Sequence, residues 1–246
     1  MKIQHLFIAF IIVGMFQACK GDQEKTGSIT LHFKAFYDGQ PLSMLSTKPF
    51  TAPEQLQFTR LSFFISDLAL MDQSATVALK DIDLVDMSFD DINSADNGYT
   101  IEVSDLQVKN YSGLKFGIGV PADLNAKKPV NFPSSNPLSD PNAYWSGWDS
   151  FIFMKTEGRI DTLGNGAFDT GFAYHTGTNE LFRTVTATLP ISIEDGKNKE
   201  IDVDIDYKKI LEGIDIKALP LNSNPKDTLQ IGMIIRNLAN ALTLVQ

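Results

Sequence analysis

Apolar and polar residues alternate in short stretches along most of this chain, and this alternation limits what the chain can fold into. In the first stretch Ile29, Leu31 and Phe33 alternate with polar residues. Such alternation places the apolar side chains on one face of a β-strand and the polar ones, including His32, on the other. Further stretches with strand character lie at residues 57–64, 68–71, 99–103, 113–120, 150–156, 184–193, 199–207 and 227–231.

Turn-forming pairs such as Asp38-Gly39 separate these stretches. Helices are predicted only at 208–212 and 232–241. Eight or nine short strands without a repeat of 20–50 residues predict an all-β fold, a single-domain antiparallel β-sandwich spanning residues 28–246. Residues 126–142 contain four prolines. We expect a long ordered loop there, over one end of the sandwich, and loops of this length are often functional.

The N-terminus has the features of an export signal. Lys2 precedes an apolar run at residues 6–16, which is shorter than the roughly 20 residues of a membrane-spanning helix. The sequence Phe16-Gln17-Ala18-Cys19 resembles the lipobox of bacterial lipoproteins. We therefore expect a signal peptide at 1–18, then a lipidated Cys19 and tether at 19–27. Acyl chains on Cys19 would attach an exported protein to the outer membrane or another cell-envelope membrane.

Composition excludes several functions. Thirty Asp and Glu against 21 Lys and Arg disfavour nucleic acid as a partner, and a single Cys excludes an internal disulfide framework or Cys-clustered zinc site. No G-x-S-x-G motif is present, and no carboxylate pair stands out. We expect a non-enzymatic role. The least favoured alternative is a hydrolase whose catalytic carboxylates the sequence does not single out. The acidic runs at 81–91 and 202–206 are interpreted as solvated strand faces.

The densest aromatic segment, residues 143–153, contains Tyr144 and both tryptophans, Trp145 and Trp148. It continues into a strand on which two phenylalanines, Lys155 and Glu157 share one face. Charged residues that extend an apolar row are costly to bury unless they are paired. We therefore include Tyr144, Trp148, Lys155 and Glu157 among the candidate binding residues. Without further context, the tryptophan pair is typical of packing.

A set of motifs in a fixed order carries a family resemblance. The matching stretches are FKAFYDGQPL (33–42), FTRLSFFISDLAL (58–70), YSGLKFGIGVPADL (111–124), YWSGWDSFIFMKTEG (144–158), FAYHTG (172–177) and residues 237–244. They resemble the MbnP-like copper-binding proteins, an exported β-rich family related to MopE-type copper proteins. The resemblance covers nearly the whole chain after the signal peptide.

This resemblance implies one copper ion held by histidine nitrogens and a nearby tryptophan. In some members a di-haem peroxidase-like partner oxidises that tryptophan to kynurenine. Carried over, His175 and Trp145 are the metal-binding candidates, and His32 is a less favoured ligand. Ala35 occupies the position of a histidine found in many relatives, so Met154 or a carboxylate is a possible replacement ligand.

Two functions therefore stay open. The first is copper binding for uptake or storage in the cell envelope. The second is a metal-free envelope module that binds a glycan, peptide or partner protein through Trp145, Trp148 and the loop at 126–142. A common pocket for His32 and His175 beside Trp145 would favour copper, and their separation would favour the second function.

Overall fold

The computed structural model describes residues 24–72, 75–224, 226–227 and 229–246. The predicted signal peptide and Cys19 lie outside the described residues. The described strands are β1 (Thr26–Tyr37), β2 (Gln40–Pro41), β3 (Lys48–Pro49), β4 (Gln55–Met71), β5 (Thr76–Asp86), β6 (Tyr99–Gln107), β7 (Lys109–Ile118), β8 (Tyr144–Trp145), β9 (Ser150–Asp161), β10 (Thr170–Gly177), β11 (Arg183–Ile193), β12 (Asn198–Asp206), β13 (Leu221–Asn222) and β14 (Leu242–Val245). The helices are α1 (Ile92–Asn97), α2 (Ala122–Asn125), α3 (Tyr207–Ile210) and α4 (Gln230–Ala241).

The strands form two sheets. Sheet A has the order β14-β12-β1-β2, with β6 also paired to β1. Sheet B has the order β11-β7-β4-β9-β10-β13, with β3 and β5 paired to β4 and β8 paired to β9. The predicted mostly-β sandwich is therefore confirmed. The β1–β12 and β10–β13 pairs are parallel, so the sheets are mixed rather than wholly antiparallel. Parallel neighbours need a long crossover, and most of the chain connects β1 to β12.

The alternation in β1 produces the expected two faces. Ile29, Leu31 and Phe33 are fully buried and join the main core, to which strands of both sheets contribute. The strand starts two residues earlier than predicted, because Thr26 pairs with Gln107 on β6. The end of the predicted tether is thus part of the sheet.

The predicted strands at 57–64 and 68–71 are two halves of the single long strand β4. Asp67 between them has a positive φ of 48°, and the pairing with β7 shifts register between Ser66 and Ala69. A bulge of this kind interrupts the alternation without ending the strand. The strand also changes partner just before the bulge, since residues up to Phe63 pair with β9 and residues from Ile65 pair with β7.

The C-terminal helix corrects one prediction. The predicted strand at 227–231 is wrong, since α4 starts at Gln230. Ile231, Ile234, Ile235 and Leu238 are buried, and this spacing is that of one helix face. The helices expected at 208–212 and 232–241 correspond to α3 and α4. No helix in the described part of the chain is long and apolar enough to cross a membrane.

The proline-rich segment covers the outer face of sheet B rather than one end of the sandwich. It contains three 3₁₀ turns, at Pro129–Asn131, Pro137–Ser139 and Pro141–Ala143. Leu138 and Ala143 form a second apolar cluster with residues of the sheet, among them Phe64, Phe151 and Phe153. On β4, Phe63 points into the main core and its neighbour Phe64 into this second cluster, which identifies the covered face as the outer one.

Candidate functional site

His175 lies on the outer face of sheet B. Its strand neighbour Tyr174 belongs to the main core, so the imidazole points away from that core. The register places His175 opposite Lys155 on β9. The Trp145 ring contacts His175 edge to face, with ring centroids 6.1 Å apart. The structure thus brings together His175 and Trp145, which are thirty residues apart in the sequence.

The two tryptophans form one stack. The rings of Trp145 and Trp148 are nearly parallel, at 11°, with centroids 4.8 Å apart. A tight hairpin positions them, because Trp145 on β8 pairs with Ser150 on β9. Trp148 also packs onto Gly177, where a Cβ atom would lie 2.7 Å from the ring. Gly177, the glycine of the His-x-Gly motif His175-Thr176-Gly177, therefore leaves room for the Trp148 ring against the strand.

Glu157 fixes one nitrogen of the imidazole. His175 Nε2 and Glu157 Oε1 are 2.8 Å apart, and this hydrogen bond is the main cause of the lowered pKa of Glu157. A carboxylate acceptor favours the tautomer with the proton on Nε2, which leaves a lone pair on Nδ1. Nδ1 is buried and has no hydrogen-bond partner among the described residues.

Lys155 and Glu157 are both partnered, as burial of charge in an apolar row requires. Lys155 Nζ donates to the backbone carbonyl of Asn142 in the proline-rich segment, at 2.9 Å. Burial, and then the neighbouring Arg60 guanidinium, lower the pKa of Lys155. Tyr144 is also partnered, since its hydroxyl donates to Asp149 at 2.5 Å. Burial and this carboxylate raise the pKa of Tyr144 to about 12.

Asn125, which the sequence analysis missed, holds three segments of the site together. Its Oδ1 accepts from Ser150 Oγ and from the backbone N–H of Phe151, and its Nδ2 donates to Asn179. Ser150 Oγ in turn accepts from the backbone N–H of Thr178. The side chain is buried. The sequence gives little sign of this role, because an asparagine at the end of a short helix is indistinguishable from an ordinary turn residue.

Two of the predicted ligands lie elsewhere. His32 is on β1 in sheet A, with Nδ1 3.4 Å from Thr100 Oγ1, and the structure shows no contact between His32 and Trp145 or His175. Met154 points into the main core, on the opposite face of β9 from Lys155. Among the described residues no group of three or more His, Cys, Asp or Glu could hold a metal ion.

Comparison with known proteins agrees with this fold. The sequence model of the MbnP family matches residues 26–228. The chain belongs to the MbnP family. The fold is similar to that of MbnP from Methylosinus trichosporium, with a TM-score of 0.56 and 15% identity over 81% of each chain. No curated protein matches the sequence. At this identity the structural likeness describes the shared fold, and the site residues of this MbnP-family chain have to be judged by their own geometry.

Proposed function

We propose that this MbnP-family protein binds a copper ion through Nδ1 of His175, beside Trp145. The observation that supports the proposal is the buried, unpartnered Nδ1 of an imidazole whose Nε2 is held by Glu157. A metal-binding histidine usually donates its other ring N–H to a carboxylate or carbonyl, which fixes the tautomer and the ring orientation.

The single imidazole nitrogen that the site offers is a donor suited to copper. Imidazole nitrogen is a good copper ligand, and a buried nitrogen without a partner carries a desolvation cost that a bound ion would remove. Neither His32 nor Met154 lies beside His175. The separation of the two histidines argues against a two-histidine site and favours a metal-free module, so the copper proposal rests on His175 alone. The other ligands would come from water, from Trp145 or from a partner protein. A site with so few ligands from its own chain suits a protein that receives copper and passes it on, a binding role rather than a catalytic one.

The cellular location of the protein and its partners are inferred from the sequence alone. A lipid anchor at Cys19 and a di-haem peroxidase-like partner that oxidises Trp145 stay predictions. Trp145 is 39% exposed, so its indole is accessible to a partner. Uptake or storage of copper in the cell envelope is the function in which these features fit together.

Copper titration of the purified protein tests the proposal. We expect one Cu(I) per chain in competition with a chelator. Binding should be lost in His175→Ala and weakened about 10–100-fold in Glu157→Gln, which removes the carboxylate that holds His175 Nε2. His32→Ala is the matched control, because it removes a half-buried histidine from sheet A and should leave copper affinity unchanged. Equal affinities of the wild type and His175→Ala would refute the proposal.

A further inference from the structure

A cavity of about 540 Å³ opens beside the tryptophan stack. Its lining includes Asn125, Trp148, Asp149, Asn179, Glu180 and Lys226. His175 does not line it, so the cavity is separate from the proposed copper ligand. Its volume lies within the range of small-molecule binding sites, which combine an apolar surface with a few convergent polar groups.

Trp148 supplies an aromatic wall held in a fixed position. Trp145 stacks on one face of the Trp148 ring, and the benzene edge of Trp148 rests on Gly177. A ring held on two sides loses little conformational freedom when a ligand binds. Its apolar surface suits a ligand that presents C–H groups as well as hydroxyls.

The polar groups beside Trp148 suit a ligand with several hydroxyls. Glu180 and Asp149 offer carboxylate oxygens as acceptors, and Asn179 offers an amide that can both donate and accept. The buried Asn125 holds Asn179 in place by a hydrogen bond of 2.9 Å. Among the residues lining the cavity, two carboxylates accompany one cation, Lys226, and Lys128 pairs with Asp149 from outside the lining. The cavity therefore has no excess of positive charge that would hold an anionic ligand.

We propose that this cavity binds one neutral pyranose unit of a glycan. In this arrangement the C–H face of the sugar packs against Trp148, and its hydroxyls hydrogen-bond to Glu180 and Asn179. A pyranose ring combines an apolar face with a rim of hydroxyl donors and acceptors, which matches an indole wall beside carboxylate and amide groups.

Tryptophan fluorescence can report binding, because both tryptophans of the protein belong to the stack. The full-length purified protein is titrated with cellotriose, tri-N-acetylchitotriose and mannotriose, and with trigalacturonate as the anionic counterpart. EDTA is present throughout, so the result is independent of copper. We expect a saturable change with at least one neutral trisaccharide and none with trigalacturonate.

Variants separate a sugar site from a nonspecific effect. Calorimetry should show that Trp148→Ala abolishes binding and that Glu180→Gln weakens it at least tenfold. Glu180 is exposed, so this second variant should keep the fold, as circular dichroism can check. Lys208→Ala, at a different cavity, should bind like the wild type. The proposal is overturned if no neutral trisaccharide binds, if only trigalacturonate binds, or if Glu180→Gln binds as tightly as the wild type.

Discussion

Gly177 shows how a single residue determines the shape of the candidate site. On the outer face of β10, His175 and Gly177 are neighbours two positions apart. The absence of a side chain at Gly177 lets the Trp148 ring lie against the strand, where it stacks on Trp145. The spacing of the His-x-Gly motif is therefore explained by packing, whether or not a metal binds to the histidine.

Gly177→Ala should displace Trp148 and lower stability. The added Cβ would lie 2.7 Å from the indole and 2.8 Å from the carbonyl oxygen of Phe151, and overpacking of this kind typically costs about 1–3 kcal/mol. We expect a lower unfolding temperature and a red-shifted tryptophan emission. Gly171→Ala is the control on the same strand, because its Cβ would have 3.9 Å to the nearest atom. Equal effects of the two variants would contradict this account.

At the level of the element, strand β12 alternates as the sequence predicts, but its acidic face is only half exposed. Ile201, Val203 and Ile205 are buried in the main core. On the other face, Asp202 pairs with Lys34 at 2.7 Å. Asp204 has a buried Oδ1 without a hydrogen-bond partner among the described residues. The solvated face predicted for this run is therefore only half-solvated at Asp204, because Lys34 of β1 and Thr243 of β14 lie directly opposite it on the two neighbouring strands.

Asp204→Asn should stabilise the protein at neutral pH. Burial, and then the charge of Asp202, raise the pKa of Asp204 above its usual value of 3.8. A raised pKa means that the folded state loses stability as the pH rises through it. The amide does not ionise, so its advantage should be about 2 °C in Tm at pH 7 and should vanish below pH 3.8.

Asp202→Asn is the matched control on the same strand face. It removes the ion pair with Lys34 and should give no gain in Tm at pH 7. Thermal unfolding at pH 3 and pH 7 measures both variants. A gain for Asp204→Asn that is the same at both pH values would show that the charge of Asp204 is not its cause.

For the whole molecule, the sequence predicts local structure better than long-range pairing. Alternation is sufficient to identify β1, β12 and the start of β9, which follows the two tryptophans. It does not identify β10, whose stretch TGFAYHTG has few apolar residues, and it splits β4 at its bulge. His32 and His175 both lie on the polar faces of strands. Which sheet each strand joins depends on pairing between distant segments, so sequence alone does not show that the two histidines are apart.

The two apolar clusters should respond separately to mutation. The main core lies between the sheets, whereas the second cluster, around the fully buried Leu138, joins the proline-rich segment to the outer face of sheet B. Leu138→Ala typically costs about 2–5 kcal/mol at a buried site. Because Leu138 belongs to the second cluster, the loss of stability should appear as local opening of residues 126–151.

Hydrogen exchange with mass spectrometry tests this separation. In Leu138→Ala, amides between 126 and 151 should exchange faster, including those of Trp145 and Trp148. Backbone amides that hydrogen-bond between β1 and β12 should exchange as slowly as in the wild type. Val130→Ala is the control within the same segment, because Val130 is 88% exposed and its truncation should change little. A uniform loss of protection across both sheets would show that the clusters unfold as one unit. Faster exchange confined to the segment would show that the backbone carrying the tryptophan stack can open while the sandwich stays folded.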